Sequence, residues 1–172
     1  MKKIAGLPFV GLIVFLTYVY VGNCYAATLV LSQQLNLEYE KPLVISHTED
    51  FLIVKYKDWY FSHSIINAKS MHANIDLSGM ERQYIKSMFD KETRNQFPRW
   101  LAELSKEQAQ VLGVPNNKVD KSKIGEADII AVYNEIEKSG FIYIFEALKI
   151  HNINVVGSKT HYYKLINSME ER

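Results

Sequence analysis

Cysteine is almost absent from this chain, since Cys24 is the only one in 172 residues. The chain beyond residue 24 therefore has no disulfide and no thiol, which excludes thiol catalysis and Cys-based zinc sites there. The eight glycines are isolated, so there is no glycine-rich phosphate loop. An excess of either charge is also lacking, because 20 basic residues nearly balance 19 acidic ones. A chain with so little net charge has no excess of basic residues with which to bind nucleic acid or an anionic membrane surface.

The N-terminal segment has the three parts of a secretory signal. Two lysines form a basic end, residues 4–22 are apolar, and small residues, Cys24 and Ala26, precede a suitable cleavage point. We therefore predict a signal peptide over residues 1–26 and a single α+β domain over residues 27–172. Cleavage would leave 146 of the 172 residues and a formal charge of −1, because two of the 20 basic residues are removed. This predicts an exported protein, periplasmic or secreted, of a bacterial envelope, with no membrane contact after cleavage.

Two alternatives remain for the same segment. Residues 4–22 approach the roughly 17 to 25 residues that a retained transmembrane anchor needs. Gly6, Pro8 and Gly11 within that run disfavour a membrane span. Lipid attachment at Cys24 is the other alternative, but Asn23 stands where a small residue is wanted.

Residues 141–157 form the longest stretch of strand composition, with aromatic and aliphatic residues broken only by single polar ones. We predict one strand here, buried at its start and open at its end. Alternation along it places His151 on the face of Phe141, and Glu146 on the opposite face. Residues 128–137 fit either a helix or a strand. Their β-branched content and the following Ser-Gly turn favour a strand, which would form a hairpin with the next segment.

Several shorter segments also have strand character, each joined to the next by a few polar residues. Such short connections favour an antiparallel meander, because parallel crossovers need a dozen or more residues. The predicted strands are 28–32, 35–40, 43–46, 51–56 and 59–66.

Helices are predicted in the middle and at the end of the chain. Ser78 and Glu81 have the spacing of a capping box, and an apolar stripe at helical period follows them. A second stripe, which includes Trp100, starts at residue 97 and stops before Gly113. Residues 116–125 are polar and are predicted as a surface loop. A terminal helix is predicted over residues 160–171.

The expected fold is α+β, with an antiparallel sheet (a meander plus a C-terminal hairpin), a helical middle segment and a C-terminal helix. This order of elements is similar in outline to the PsbP and Mog1-like group of folds. The resemblance is one of layout, so it implies no site residues and no activity.

The candidate binding residues are Trp59, His63, Glu146 and His151. Trp59 belongs to an aromatic cluster with Tyr60 and Phe61, for which we expect burial of all three rings, although one could reach a groove. Glu146 is the one charge inside the apolar part of its strand and must lie at a rim or be paired. His151 lies toward the strand's open end, where we expect a site.

No catalytic residue, metal site or cofactor is predicted. No two histidines have the helical i, i+4 spacing of a zinc protease, and no G-x-S-x-G nucleophile elbow is present. His72 with Asp76 and Glu81 is the nearest metal-like set, and a capped helix start explains it better.

Two functions follow as hypotheses. The first is a non-enzymatic envelope domain that binds a protein partner or a ligand, as an inhibitor, immunity-type factor or accessory does. The alternative is a small envelope hydrolase whose site is assembled from scattered histidines and carboxylates.

Export makes a direct prediction about the mature N-terminus. Intact-mass measurement of the protein isolated from its cells should give the mass of residues 27–172, in a fraction outside the cytoplasm. A full-length mass in the membrane fraction, or a lipid mass on Cys24, would support one of the two alternatives instead.

Overall fold

The structure is a computed structural model that describes residues 27–69, 71 and 75–172. The predicted signal peptide and His72 lie outside the described residues. The described part is an α+β fold with antiparallel strands, as the sequence predicts, but these strands form two sheets and not one.

The larger sheet has seven strands, and its central strand, Ile150–Val156, comes from the C-terminal part of the chain. Its spatial order is β3-β4-β5-β9-β8-β7-β6, with every neighbouring pair antiparallel. The strands are β3 (Val44–His47), β4 (Phe51–Lys55), β5 (Tyr60–Ile65), β6 (Val119–Ile124), β7 (Ala127–Asn134), β8 (Ser139–Phe145) and β9 (Ile150–Val156). Strands β3 to β5 form a meander, as predicted, but the first two predicted strands, 28–32 and 35–40, lie in the second sheet instead. The predicted hairpin is β7 with β8, in which residues 127–134 are strand rather than helix and residues 135–138 form the turn.

The smaller sheet has three strands and joins the two ends of the described chain. β1 (Ala27–Val30) and β10 (Met169–Glu171) both pair with β2 (Leu35–Tyr39). Leu35 and Leu37 of β2 are almost completely buried, because alternate residues of this strand point at the larger sheet.

Four α-helices complete the described part. They are α1 (Glu81–Phe89), α2 (Lys91–Arg94), α3 (Arg99–Val111) and α4 (Lys159–Asn167), with a short 3₁₀ helix at Val114–Asn116. Gly113 ends α3 in the left-handed conformation that favours glycine, as predicted.

The larger sheet is covered on both faces, so the chain has two hydrophobic clusters. One face packs on the smaller sheet and α4 through residues such as Phe61, Ile144 and Tyr162. The other face packs on α1 and α3 through residues such as Tyr143 and Phe145. Strands in the middle of this sheet therefore carry apolar side chains on both faces, which is why β8 is apolar without interruption from Phe141 to Phe145.

The predicted single strand at 141–157 is wrong, because the chain reverses between β8 and β9. The Glu146 amide donates to the Lys149 carbonyl at 3.0 Å and closes a turn in which Ala147 and Leu148 are exposed. The turn contains no glycine or proline, so it has no signal in the sequence. As a consequence, Glu146 and His151 lie on the same face of the sheet and not on opposite faces.

The predicted loop at 116–125 is also wrong, because most of it forms the edge strand β6. The Lys121, Ser122 and Lys123 side chains are exposed, and this hides the alternation expected of a half-buried strand. The C-terminal helix stops at Asn167, and Met169 then lies buried in the smaller sheet.

Two local predictions about helix α1 and the aromatics need correction. Helix α1 starts at the predicted place, but Met80 is its N-cap and no side chain caps it, so the capping box does not form. Trp100 is 56% exposed and Tyr60 is 38% exposed, whereas both were expected in the core. Trp100 lies on the solvent side of α3, because Leu101, Ser105 and Ala109 form the buried stripe of that helix.

Among the helices that the structure describes, none has the length and apolar composition needed to cross a membrane.

Candidate functional site

Two histidines lie side by side on the central strands β5 and β9. Ile65 is opposite His151 in the register, so His63, two residues earlier, is its diagonal neighbour on the same face. His63 Nε2 lies 2.9 Å from His151 Nδ1, and the two rings stack at 5.2 Å between centroids. His151 is completely buried, whereas His63 is partly exposed.

Glu146 extends this pair into a chain of polar side chains. Its Oε2 lies 3.2 Å from His151 Nε2, and the Ser32 hydroxyl donates to its Oε1. Ser32 belongs to the loop between β1 and β2 of the smaller sheet. The carboxylate is about 10% exposed, so these two contacts satisfy a charge that would otherwise be costly to bury.

The backbone of Glu146 is held from the opposite side of the sheet. The Arg82 guanidinium of helix α1 donates to the Glu146 carbonyl oxygen. Its Cζ atom also lies 5.5 Å from the centroid of the Phe145 ring, within the range of a cation–π contact. The turn that carries Glu146 is therefore fixed to α1 as well as to the smaller sheet.

The hydrogen-bond distances fit one arrangement of protons when Glu146 is ionised and His151 is neutral. The carboxylate then only accepts, so Ser32 and His151 Nε2–H both donate to Glu146. His151 Nδ1 accepts from His63 Nε2–H, and Nδ1 of His63 is the remaining acceptor of that ring. Burial, with a further contribution from His151, lowers the pKa of His63 to about 4, so this imidazole is neutral at pH 7.

This arrangement can hold a proton or accept a hydrogen bond, but it does not activate a nucleophile. The Ser32 hydroxyl bonds to the carboxylate and not to an imidazole, so no base removes its proton. No group of three potential metal ligands occurs among the described residues. His63, His151 and Glu146 form a polar network in which His151 and Glu146 are buried and His63 is the partly exposed member.

The fourth predicted residue, Trp59, does not join this group. Its ring is stacked between Tyr56 at 4.2 Å and His161 at 4.8 Å, both nearly parallel to it. Because both faces of the indole are covered, Trp59 cannot stack on a ligand. The structure thus brings together His63, Glu146 and His151 and leaves Trp59 as a packing residue beside α4.

An open cleft of about 790 Å³ lies on the other face of the sheet, where α1 faces the ends of β4, β5 and β9. Its walls combine apolar side chains with uncharged hydrogen-bonding ones, and Asp50 is its one charged lining residue. It is lined by Asp50, Phe51, Ser64, Ile65, Ile66, Asn67, Ala68, Met71, Tyr84, Met88, Gln108, Tyr143 and Asn152.

Ser64 and Asn152 are directly opposite each other in the register and form part of the cleft wall. The Asn152 side-chain oxygen is buried without a hydrogen-bond partner among the described residues. A buried acceptor of this kind costs free energy unless a donor reaches it. This site was not predicted, although Ser62, Ser64, Asn152 and Asn154 recur at every second position of their strands, which is the signal of a polar sheet face.

No family model matches this chain, and no curated protein and no solved structure is significantly similar to it. The similarity in layout to the PsbP and Mog1-like folds therefore stays a prediction.

The lowered pKa of His63 predicts how stability depends on pH. The folded protein keeps His63 neutral down to about pH 4, whereas the unfolded chain protonates it near 6.5, so the unfolded state binds more protons between these values. The free energy of unfolding should therefore fall as pH is lowered from 7 to 4, with roughly 2 to 3 kcal/mol of the loss due to this residue. Measured by urea unfolding, the free energy of unfolding of His63→Gln should therefore fall by roughly 2 to 3 kcal/mol less between pH 7 and pH 4 than that of the unmodified protein.

The control is Ser122→Gln, because Ser122 is exposed on the edge strand β6 and contacts neither His63 nor Glu146 among the described residues. Its stability should follow the unmodified protein across the same pH range. An unchanged slope in His63→Gln would contradict the neutral, buried state assigned to His63.

Proposed function

We propose that this chain is an exported, non-enzymatic domain of the cell envelope that binds a ligand or a segment of a partner protein in the cleft. The observation that carries the proposal is the cleft of about 790 Å³, which is within the range of volumes of ligand sites. The N-terminal sequence, with its basic end, apolar run and small residues before Ala27, supports export.

The chemistry of the cleft walls indicates the class of ligand. Ser64, Gln108 and Asn152 offer hydroxyl and amide groups, while Met88 and Ile66 offer apolar surface. Among the described residues that line the cleft, Asp50 is the only charged one, and its negative charge disfavours an anion. An uncharged ligand rich in hydroxyl or amide groups fits best, and both a neutral oligosaccharide and an uncharged peptide have this chemistry.

A donor on such a ligand would also satisfy the Asn152 oxygen. The free energy that this buried acceptor costs in the free protein would be recovered on binding, and the recovery would favour ligands that bear an N–H or O–H at that position. This selectivity distinguishes the proposed ligand from a purely apolar one.

A hydrolase is the second candidate, because two histidines and a carboxylate do converge. These residues do not line the cleft, and they lie on the other face of the sheet from Ser64 and Asn152. A reaction would have to occur at His63 Nδ1 alone. If His63→Gln at pH 7.5 abolished a cellular activity of the protein without lowering its melting temperature, the hydrolase would replace the binding domain.

Nuclear magnetic resonance with defined probes tests the binding proposal. A set of neutral oligosaccharides and a set of uncharged tetrapeptides are added separately to the labelled protein, so that each source of ligand is assessed on its own. One set should shift the amide signals of Ser64, Ala68 and Asn152 in a saturable manner. Ala68→Trp fills the cleft with a large ring and should weaken this binding at least about tenfold, a change of roughly 1.4 kcal/mol.

Ala147→Trp is the control, because Ala147 is exposed in the β8–β9 turn and does not line the cleft. It should bind as the unmodified protein does. Absence of shifts with both sets, or full binding by Ala68→Trp, would contradict the proposed site.

A further inference from the structure

The two edges of the seven-stranded sheet differ in how they are protected. Edge strand β6 carries Asp120, Lys121 and Lys123, and charged residues on an edge prevent another strand from pairing with it. Edge strand β3 has the sequence Val-Ile-Ser-His, with no lysine, acidic residue or proline. All four of its residues are exposed, so no described part of the chain covers this edge.

The side chains of β3 are also unusually apolar for an exposed strand. Val44 and Ile45 are each about half exposed, at 53% and 51%, and the preceding Leu43 is 69% exposed. Phe51, on the neighbouring strand, adds a further exposed ring at 42%. An edge with this composition is a surface for pairing with another strand.

The register shows which backbone groups of β3 point outward. The Thr48 amide donates to the Phe51 carbonyl on β4, so these two residues form a hydrogen-bonded pair. Ser46 and Val44, two and four residues earlier, occupy the next positions of this kind along the ladder. Hydrogen-bonded pairs alternate along an antiparallel ladder, so the N–H and C=O groups of Ile45 point away from β4. Ile45 is therefore at the centre of the unpaired edge.

The charges that flank β3 identify the occupant of this edge. Lys41 is exposed four residues before Ile45, and Glu49 is exposed four residues after it. If two β3 strands pair antiparallel about Ile45, Lys41 of each copy lies opposite Glu49 of the other. Glu40 lies opposite Asp50 in the same register, and the Lys164 ammonium of its own chain, 2.6 Å from Glu40 Oε1, offsets this like-charge contact. The edge therefore matches a second copy of itself at Lys41 and Glu49 and in the direction of its hydrogen bonds.

We propose that β3 pairs with β3 of a second copy, antiparallel about a two-fold axis at Ile45, and joins two seven-stranded sheets into one. Ile45 then exchanges both backbone hydrogen bonds with its own counterpart. The contact is isologous, so it closes on itself and gives a dimer rather than a filament. The apolar side chains of Leu43 and Ile45 pack against those of the partner on one face.

Sedimentation of the protein isolated from its cells tests the dimer. The unmodified protein should sediment as a dimer that dissociates on dilution. Ile45→Lys places a charge at the centre of the edge and should weaken the dimer at least about tenfold. Ser122→Lys, on the opposite edge β6, is the matched control and should leave the dimer unchanged. A monomer at all concentrations, or a dimer that tolerates Ile45→Lys, would overturn the proposal.

Charge reversal tests the orientation of the two strands. Lys41→Glu and Glu49→Lys should each weaken the dimer, because each places like charges together. The double variant should restore it, because the opposite charges meet again. Failure of the double variant to recover would exclude antiparallel pairing about Ile45.

Disulfide formation tests the register, in a Cys24→Ser background so that the introduced cysteines are the only ones. Opposed residues in a non-hydrogen-bonded pair have Cα atoms about 4.5 Å apart and the closer side chains, which suits a disulfide. In the proposed register Val44 of one copy forms such a pair with Ser46 of the other, so the double variant Val44→Cys/Ser46→Cys should cross-link the two copies under mild oxidation. Val44→Cys alone would face its counterpart only diagonally, at about 7 to 8 Å, and should cross-link far less. Equal cross-linking by the single and the double variant would overturn the proposed axis.

Discussion

The two sheets and helix α1 are held together by the contacts of Glu146, and the rest of the fold depends on these contacts. The Glu146 carboxylate accepts from Ser32 of the smaller sheet and pairs with His151 of the larger sheet, while the backbone carbonyl of Glu146 accepts from Arg82 of helix α1. Three parts of the chain that are far apart in sequence therefore meet at one turn. If one partner of this buried carboxylate were removed, the charge left without it would cost more free energy than the pair itself contributes.

The same turn determines which side chains share a face of the sheet. Because the chain reverses at residues 146–149, Glu146 and His151 both point toward the smaller sheet, where His63 also lies. Ser64 and Asn152 then point toward helices α1 and α3, where the cleft lies. The residues with reactive groups and the concave surface are consequently separated by the thickness of the sheet. This separation supports binding in the cleft and a structural role for the histidines.

Much of the fold could be predicted from local patterns. Strand β2 alternates clearly between apolar and polar residues, β4 is a short apolar run, and Tyr84, Ile85 and Met88 form the buried stripe of α1. The errors occurred where the solvent or a turn hides the pattern. Strand β6 is an exposed edge with lysines, and the β8–β9 turn has a composition that does not differ from a strand. The strand β10 has only three residues, too few to show a period.

The candidate site could be predicted only as separate residues. His63, Glu146 and His151 were selected for their side-chain chemistry, but their contact depends on the register of β5 with β9, which a single sequence does not contain. The cleft depends on the packing of α1 against distant strands, so its outline was not predictable. The alternation of Ser64 and Asn152 with apolar neighbours indicated a polar face, but not its depth.

The most direct test of the role of Glu146 is to locate the imidazole protons by ¹⁵N nuclear magnetic resonance at pH 7. If the carboxylate orients these side chains, His151 carries a proton on Nε2, toward Glu146, and the neutral His63 carries its proton on Nε2, toward His151. No proton on His151 Nε2, a proton on His63 Nδ1, or a doubly protonated His63 would contradict the account.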